Sequence, residues 1–181
     1  MAGVGCDKVV VSTDHVQIAR HAMMMGADVD ARPDELAQDD SKIADVLAEY
    51  FGRGIYCDIC VLLQPTSPLV RQKDVADVVA ALMADEEANS AQTVCEVPHN
   101  YHAWNQRVIL DYGRHVEFMQ KDRSSNKQDK PSTYKFGNVV AFRPKAMLEQ
   151  REVFALPSIP IVIPEEFAVD VDGPEDLNDC R

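Results

Sequence analysis

Asp170 and Asp172 stand one residue apart, with Val171 between them and Gly173-Pro174 directly behind. The residues just ahead, 167–169, form an apolar run that reads as a strand. Side chains on a strand alternate between its two faces, so both carboxylates are expected on the same side. Two hard oxygen ligands that close suit Mg²⁺, which takes one or two carboxylates and leaves its other positions to water and phosphate oxygens. A solvated strand end ahead of a helix start has the same pattern, and the pair alone does not separate the two.

Other polar groups fall at similar places. Leu63-Gln64-Pro65-Thr66-Ser67-Pro68-Leu69 follows an apolar run. Its two prolines stiffen the loop, so the Gln64 amide and the Thr66 and Ser67 hydroxyls are held for a polyol or a carboxylate. An ordinary turn uses the same residue types. Arg32, followed by Pro33, offers a planar fork for phosphate; the alternative is a surface ion pair with Asp34 or Glu35. Lys127 and Gln128 lie in a polar stretch with no apolar periodicity, a loop suited to meeting an anionic substrate. His99 and His102 have metal-like spacing but lack a third ligand. Cys57 and Cys60 form a single C-x-x-C at a strand opening, where residues three apart face opposite sides, and both read as core thiols.

These groups need elements to position them. Strand and helix signals alternate along the chain, which points to an α/β fold with a mostly parallel sheet. Strands are expected at 8–11, 27–30, 59–63, 91–97, 134–142 and 159–163. Helices are expected at 15–25, 41–51, 72–84 and 144–150, with a last one opening at Pro174. Asp14 with Gln17 has capping-box spacing, and Asp40 or Ser41 is placed to cap the second helix. Residues 105–119 read as a hairpin turning at Asp111-Tyr112-Gly113. In open α/β sheets ligands bind beyond the carboxyl ends of the strands. The polar segments at 12–14, 64–68 and 170–172 all fall at such ends.

The chain has 181 residues, 46% of them hydrophobic, and a formal net charge of −12. That length fits one domain with a full core. The acidic balance argues against a nucleic-acid surface, yet leaves room for a locally basic pocket. Five cysteines, Cys6, Cys57, Cys60, Cys95 and Cys180, read as free thiols of a reducing cytosol. No apolar run approaches a membrane span, and the first residues lack a signal-peptide core. A cytoplasmic protein is expected.

In series, five segments resemble the acylneuraminate cytidylyltransferase family, the CMP-sialic acid synthetases and relatives acting on other 3-deoxy-ulosonic acids. They are Val11-Ser12-Thr13-Asp14, Arg32-Pro33 with Leu36-Ala37 and Asp39, the Leu63 to Leu69 string, Lys127-Gln128-Asp129 with Pro131, and Asp170-Val171-Asp172 with Asp176-Leu177. The resemblance implies a doubly wound, mostly parallel nucleotide-diphospho-sugar transferase-like sheet. It implies one domain over 1–181, with residues 99–130 as a projecting arm that dimerises and meets substrate. It implies transfer of CMP from CTP to a sialic-acid-like sugar acid, with release of pyrophosphate and with Mg²⁺. By position, Arg32, Asp39 and Ser41 would hold nucleotide. Gln64, Thr66, Ser67, Gln128, Tyr134 and Asn138 would hold the sugar acid. Asp170 and Asp172 would hold the metal, and Lys127 would meet substrate with a charge but without an arginine fork. Gly137-Asn138 reverses the family's usual Asn-Gly. The family's opening strand, which lies inside the sheet, and its basic phosphate loop have no counterpart ahead of residue 8. Loss of that strand is expected to expose two strand edges or force them to pair. The alternative is a truncated or degenerate, non-catalytic homologue that dimerises and binds sugar acid only.

Overall fold

The computed structural model describes residues 5–110, 113–120, 130–178 and 180. Among these residues the strands and α-helices follow one another as β1 (Val10–Thr13), α1 (Val16–Met24), β2 (Asp28–Ala31), α2 (Ile43–Gly52), β3 (Cys60–Leu63), α3 (Gln72–Ala84), β4 (Ser90–Glu96), β5 (Arg107–Leu110), β6 (His115–Phe118), β7 (Tyr134–Phe142), α4 (Pro144–Gln150) and β8 (Ser158–Val162).

The principal sheet has the order β3-β7-β4-β8. Strands β3, β4 and β8 run one way, and β7 runs against both of its neighbours. Period-two alternation along β7 sends Val139 and Ala141 to one face and Phe142 to the other. On the first face, Val78 and Leu82 of α3 are fully buried against Ala91, Val139 and Ala141. Each such aliphatic side chain contributes about 1.5–3 kcal/mol on burial. On the second face, Phe51 of α2 and Met147 of α4 pack on Phe142, with Cys60 and Leu62 alongside. Helices on both faces make the sheet doubly wound, as expected.

β1 and β2 pair in parallel as a separate two-stranded sheet. Among the described residues no strand joins β1 to β3. The expected mutual pairing of β1 with β3 is not seen among the described residues. The hairpin β5–β6 forms a third sheet. Its Ile109 and Val116 are 73% and 62% exposed, which fits an arm standing away from the core.

Several local expectations need correcting. The helices α1 and α2 start on His15 and Lys42 with no side-chain cap, so neither the Asp14–Gln17 box nor an Asp40 or Ser41 cap forms. The Ser41 hydroxyl instead accepts the Gln38 N–H. The last helix is a single 3-10 turn, Asp176–Asn178. Residues 167–169 are not a strand: a 3-10 turn at Glu165–Phe167 is followed by irregular chain. Cys57 is exposed, because β3 opens only at Cys60. Burial pushes the Cys60 thiol up to about 12.

One irregularity interrupts the principal sheet. The register between β4 and β7 passes from Gln92↔Val140 to Val94↔Phe136, so Thr93 alone faces Gly137, Asn138 and Val139. The Thr93 hydroxyl fills this bulge and accepts the N–H groups of Asn138 (2.9 Å) and Val139 (3.0 Å). Gly137 is required there, since a Cβ would lie 2.7 Å from Thr93 Oγ1 and 2.9 Å from Ile163 Cδ1. The Gly137-Asn138 order thus has a steric cause. Gly137→Ala is expected to lower stability by roughly 1–3 kcal/mol, read as a fall in the urea unfolding midpoint.

Candidate functional site

The chain leaving β8 crosses the carboxyl edge of the principal sheet and is tied down as it goes. Ile163 donates its N–H to Val94 of β4 (2.8 Å). The Asn138 amide of β7 donates to the Phe167 carbonyl (2.9 Å). Val171 donates its N–H to the Thr66 carbonyl, in the loop after β3 (2.8 Å). Asp170 and Asp172 are therefore brought from the far edge of the sheet to the Gln64 loop. Both are exposed, while Val169 and Val171 are half-buried, so the alternation expected of a strand persists without a ladder to enforce it.

Within this cluster, Gln64 and Thr66 are also exposed. Among the described residues no hydrogen bond or ion pair engages the side chains of Gln64, Thr66, Asp170 or Asp172. Ser67 is buried, so Thr66 is the outward hydroxyl of the pair. Tyr134 opens β7 on the same edge and is 49% exposed. Beside Asp170 lies a cavity of about 600 Å³ lined by Lys135, Glu165, Glu166, Asp170 and Asp176. Its walls are mainly acidic, so a polyphosphate there would need a cation between it and the protein.

Asn138 stands behind the site rather than in it. It is 1% exposed, and its carbonyl oxygen accepts the Thr93 hydroxyl (2.9 Å) while its amide nitrogen serves Phe167 and Asp74. Asp74, also 1% exposed, is gripped by Arg71 at 2.6 Å, and the Arg71 guanidinium lies 3.8 Å over the Phe167 ring. Sequence reasoning missed Arg71 and Asp74. Their three-residue spacing at a helix start was the available signal, for Arg71 is the N-cap of α3 and Asp74 its N3 acid.

Arg32 belongs to the smaller sheet. It follows β2, and its guanidinium donates to the Ser12 carbonyl (2.9 Å) and hydroxyl (3.3 Å) at the end of β1. The Ser12 hydroxyl donates onward to buried Asp30, whose other oxygen takes Arg53 (2.6 Å). The expected competing pair with Asp34 or Glu35 is not formed, and among the described residues Arg32 has no acidic partner. Its charge remains available for an anion. Asp39 is exposed in the following turn. No described contact joins Arg32 to the Gln64–Asp170 cluster, and Arg32 does not line the cavity beside Asp170.

Lys127 and Gln128 lie outside the described residues. The His99–His102 metal reading does not hold. His102 is buried, its Nε2 meets the Pro131 carbonyl (3.0 Å), and its Nδ1 accepts the Trp104 N–H (3.0 Å). Among the described residues no three His, Cys, Asp or Glu side chains converge on one point. Asp170 and Asp172 are exposed carboxylates, the oxygen-donor type that Mg²⁺ takes alongside water and phosphate.

A family model described as Cytidylyltransferase matches residues 4–158. The chain belongs to the cytidylyltransferase family. N-acylneuraminate cytidylyltransferase A of Danio rerio is 36% identical over 73 residues, 40% of this chain and 17% of that protein. CMP-N,N'-diacetyllegionaminic acid synthase of Legionella pneumophila is 37% identical over 79 residues, 41% of this chain and 34% of that protein. The chain thus aligns with about a third or less of these curated relatives. A solved CMP:2-keto-3-deoxy-manno-octonic acid synthetase complexed with CTP superposes with a TM-score of 0.67 at 17% identity, covering 99% of this chain and 81% of its own. The 2-C-methyl-D-erythritol 4-phosphate cytidylyltransferase of Thermus thermophilus reaches 0.58 at 15% identity, covering 96% and 80%. At such identity the structural likenesses establish the fold. The expected family and the doubly wound α/β fold are both borne out.

Asp74 sets a pH dependence for this cytidylyltransferase-family chain. Burial acts to raise its carboxyl, but hydrogen bonds from Arg71 and Asn138 prevail and hold it below the ordinary value. The stability it contributes is complete above the unfolded value of about 4 and is lost as pH falls through the lower folded value. Asp74→Asn is expected to flatten the acid limb of a plot of urea midpoint against pH, below about pH 4.

Proposed function

We propose that this chain transfers CMP from CTP to a sialic-acid-like 3-deoxy-ulosonic acid, releasing pyrophosphate, as a cytoplasmic homodimer whose arm is the β5–β6 hairpin. The observation that carries this reading is the bond from the Val171 N–H to the Thr66 carbonyl. It places the paired carboxylates beside a loop whose Gln64 amide and Thr66 hydroxyl have no partner within the described protein. The names of the two curated relatives, one acting on N-acylneuraminate and one making a CMP-legionaminic acid, support the substrate class.

In this reading Gln64, Thr66 and Tyr134 bind the hydroxyls and carboxylate of the sugar acid. Arg32 offsets triphosphate charge, Lys127 meets the anionic substrate, and Asp39 and Ser41 lie along the nucleoside. Asp170 and Asp172 would hold Mg²⁺, which supplies charge neutralisation on the phosphates when bound. A sugar hydroxyl attacks the α-phosphorus of CTP; the bond from that phosphorus to the bridging oxygen breaks and pyrophosphate leaves. The protein's share is positioning and fixed charge rather than covalent chemistry.

The separation of β1 and β3 into two sheets favours a second reading, in which the chain binds sugar acid without CTP. Pyrophosphate release from CTP with a panel of nonulosonic acids separates the two. Under the first reading release occurs, falls at least about a hundredfold in Asp170→Asn, and shows roughly tenfold weaker CTP binding in Arg32→Lys. Calorimetric binding of a sugar acid with neither CTP binding nor release would replace the first reading with the second.

A further inference from the structure

We propose that Arg71, Asp74 and Asn138, seated by the Thr93 hydroxyl, are positioning residues that set where Asp170 and Asp172 stand. The inference deepens the proposed function, for it takes the two aspartates as the metal-holding pair.

The polar chain runs from the first turn of α3, through the bulge of β7, to one residue of the crossing segment. Arg71 donates from Nε to both Asp74 oxygens (3.2 and 3.1 Å) and from Nη2 to Asp74 Oδ1 (2.6 Å). Asp74 Oδ2 also takes the Arg71 N–H (3.1 Å) and the Asn138 amide (3.4 Å). Both ends of this chain close on Phe167. Asn138 holds its carbonyl at 2.9 Å, and Arg71 stacks on its ring at 3.8 Å.

Packing does not need this arrangement. Val78 and Leu82 already seat α3 on the sheet, and a buried ion pair is a costly way to hold two elements together compared with apolar contact. Phe167 also packs on Cys95, Ile163 and Ala168; the polar chain adds a held carbonyl and a held ring orientation. Ala168, next along, is buried with Cys95 and Ile163; beyond it the fixed points are Val171, bonded to Thr66, and the pair Asp172 and Gly173, whose N–H groups both reach Asp176 Oδ2 at 2.8 Å. Asp170 therefore sits between clamps at Phe167 and Val171, with no strand ladder of its own. Loosening the first clamp frees the carboxylates without touching them. Groups that orient metal ligands from behind commonly alter metal affinity as strongly as this placement predicts.

Arg71 is part-exposed, but its loss leaves the buried Asp74 carboxylate unpaired, so each Arg71 variant is made and compared in an Asp74→Asn background. Arg71→Met keeps the stem and removes the fork; Arg71→Lys keeps the charge but not the planar geometry. Amide hydrogen exchange followed by NMR needs no substrate. In Arg71→Met the Val171 amide is expected to exchange roughly tenfold faster, while the β7 amides of Val140 and Ala141 keep the rates of Asp74→Asn alone. Arg71→Lys falls between. Phe167→Leu, which keeps the carbonyl but removes the stacked ring, shows the same pattern more weakly. Mn²⁺ affinity measured by EPR with CTP present is expected to fall about ten- to hundredfold in Arg71→Met. An unchanged Val171 amide, or equal acceleration across Val140, Ala141 and Val171, overturns the proposal. If the wild-type chain releases no pyrophosphate but the Val171 effect is seen, the proposed reaction fails and the positioning role stands.

Discussion

Burying a carboxylate is costly unless charge and hydrogen bonds surround it. Asp74, at 1% exposure, meets that demand with a bidentate arginine, a backbone N–H and a side-chain amide. Each partner constrains something else. The arginine lies over Phe167, and the amide belongs to Asn138, whose place depends on the bulge in β7. The bulge in turn depends on one hydroxyl, from Thr93, and on the missing side chain of Gly137. The carboxyl edge of the principal sheet is organised around this charge.

The second organising feature is the division of the sheet. Arg32 hangs from the end of β1 on the small sheet, while Gln64 and the paired aspartates gather on the large one. A described polar tie between the two regions runs from Arg53, just after α2, to Asp30 of β2 at 2.6 Å. Residues expected at the nucleotide and residues expected at the sugar acid thus ride on separately hydrogen-bonded layers. Among the described residues no continuous ladder joins them. The helix α1 is also lightly covered. Ala22 is its buried residue, while Val16 and Ile18 are 62% and 52% exposed. Unpaired edges flanked by apolar side chains are features that folded proteins commonly cover.

Much of this is legible in residue order. The expected ranges 72–84, 134–142 and 144–150 coincide with α3, β7 and α4, because long amphipathic or apolar runs bounded by clear breakers leave few alternatives. Polar segments at the strand ends correctly place Gln64 and Thr66 on an exposed rim. The errors share a cause. Helix caps at Asp14 and Ser41, the strand before Asp170 and the open role of Asn138 are expectations drawn from neighbours along the chain. The strand and Asn138 are decided instead by the partners that the fold supplies or withholds. Ser41 is used within its own turn, Asn138 is claimed by Thr93 and Asp74, and the segment before Asp170 has no adjacent strand to pair with.

Residue types and spacing by themselves determined the family, the alternation of strand and helix, and the pairing of two acids with a stiff polar loop. These follow from local periodicity and from short strings of unusual composition. Only the tertiary structure decided that the acids are carried across the sheet edge by single hydrogen bonds, that Asn138 faces inward, and that β1 and β3 remain unjoined. Contacts between residues 29 to 105 positions apart settle those points, from Asn138 with Phe167 to Thr66 with Val171. Such contacts leave no periodic trace in the chain, because the geometry of other elements creates them.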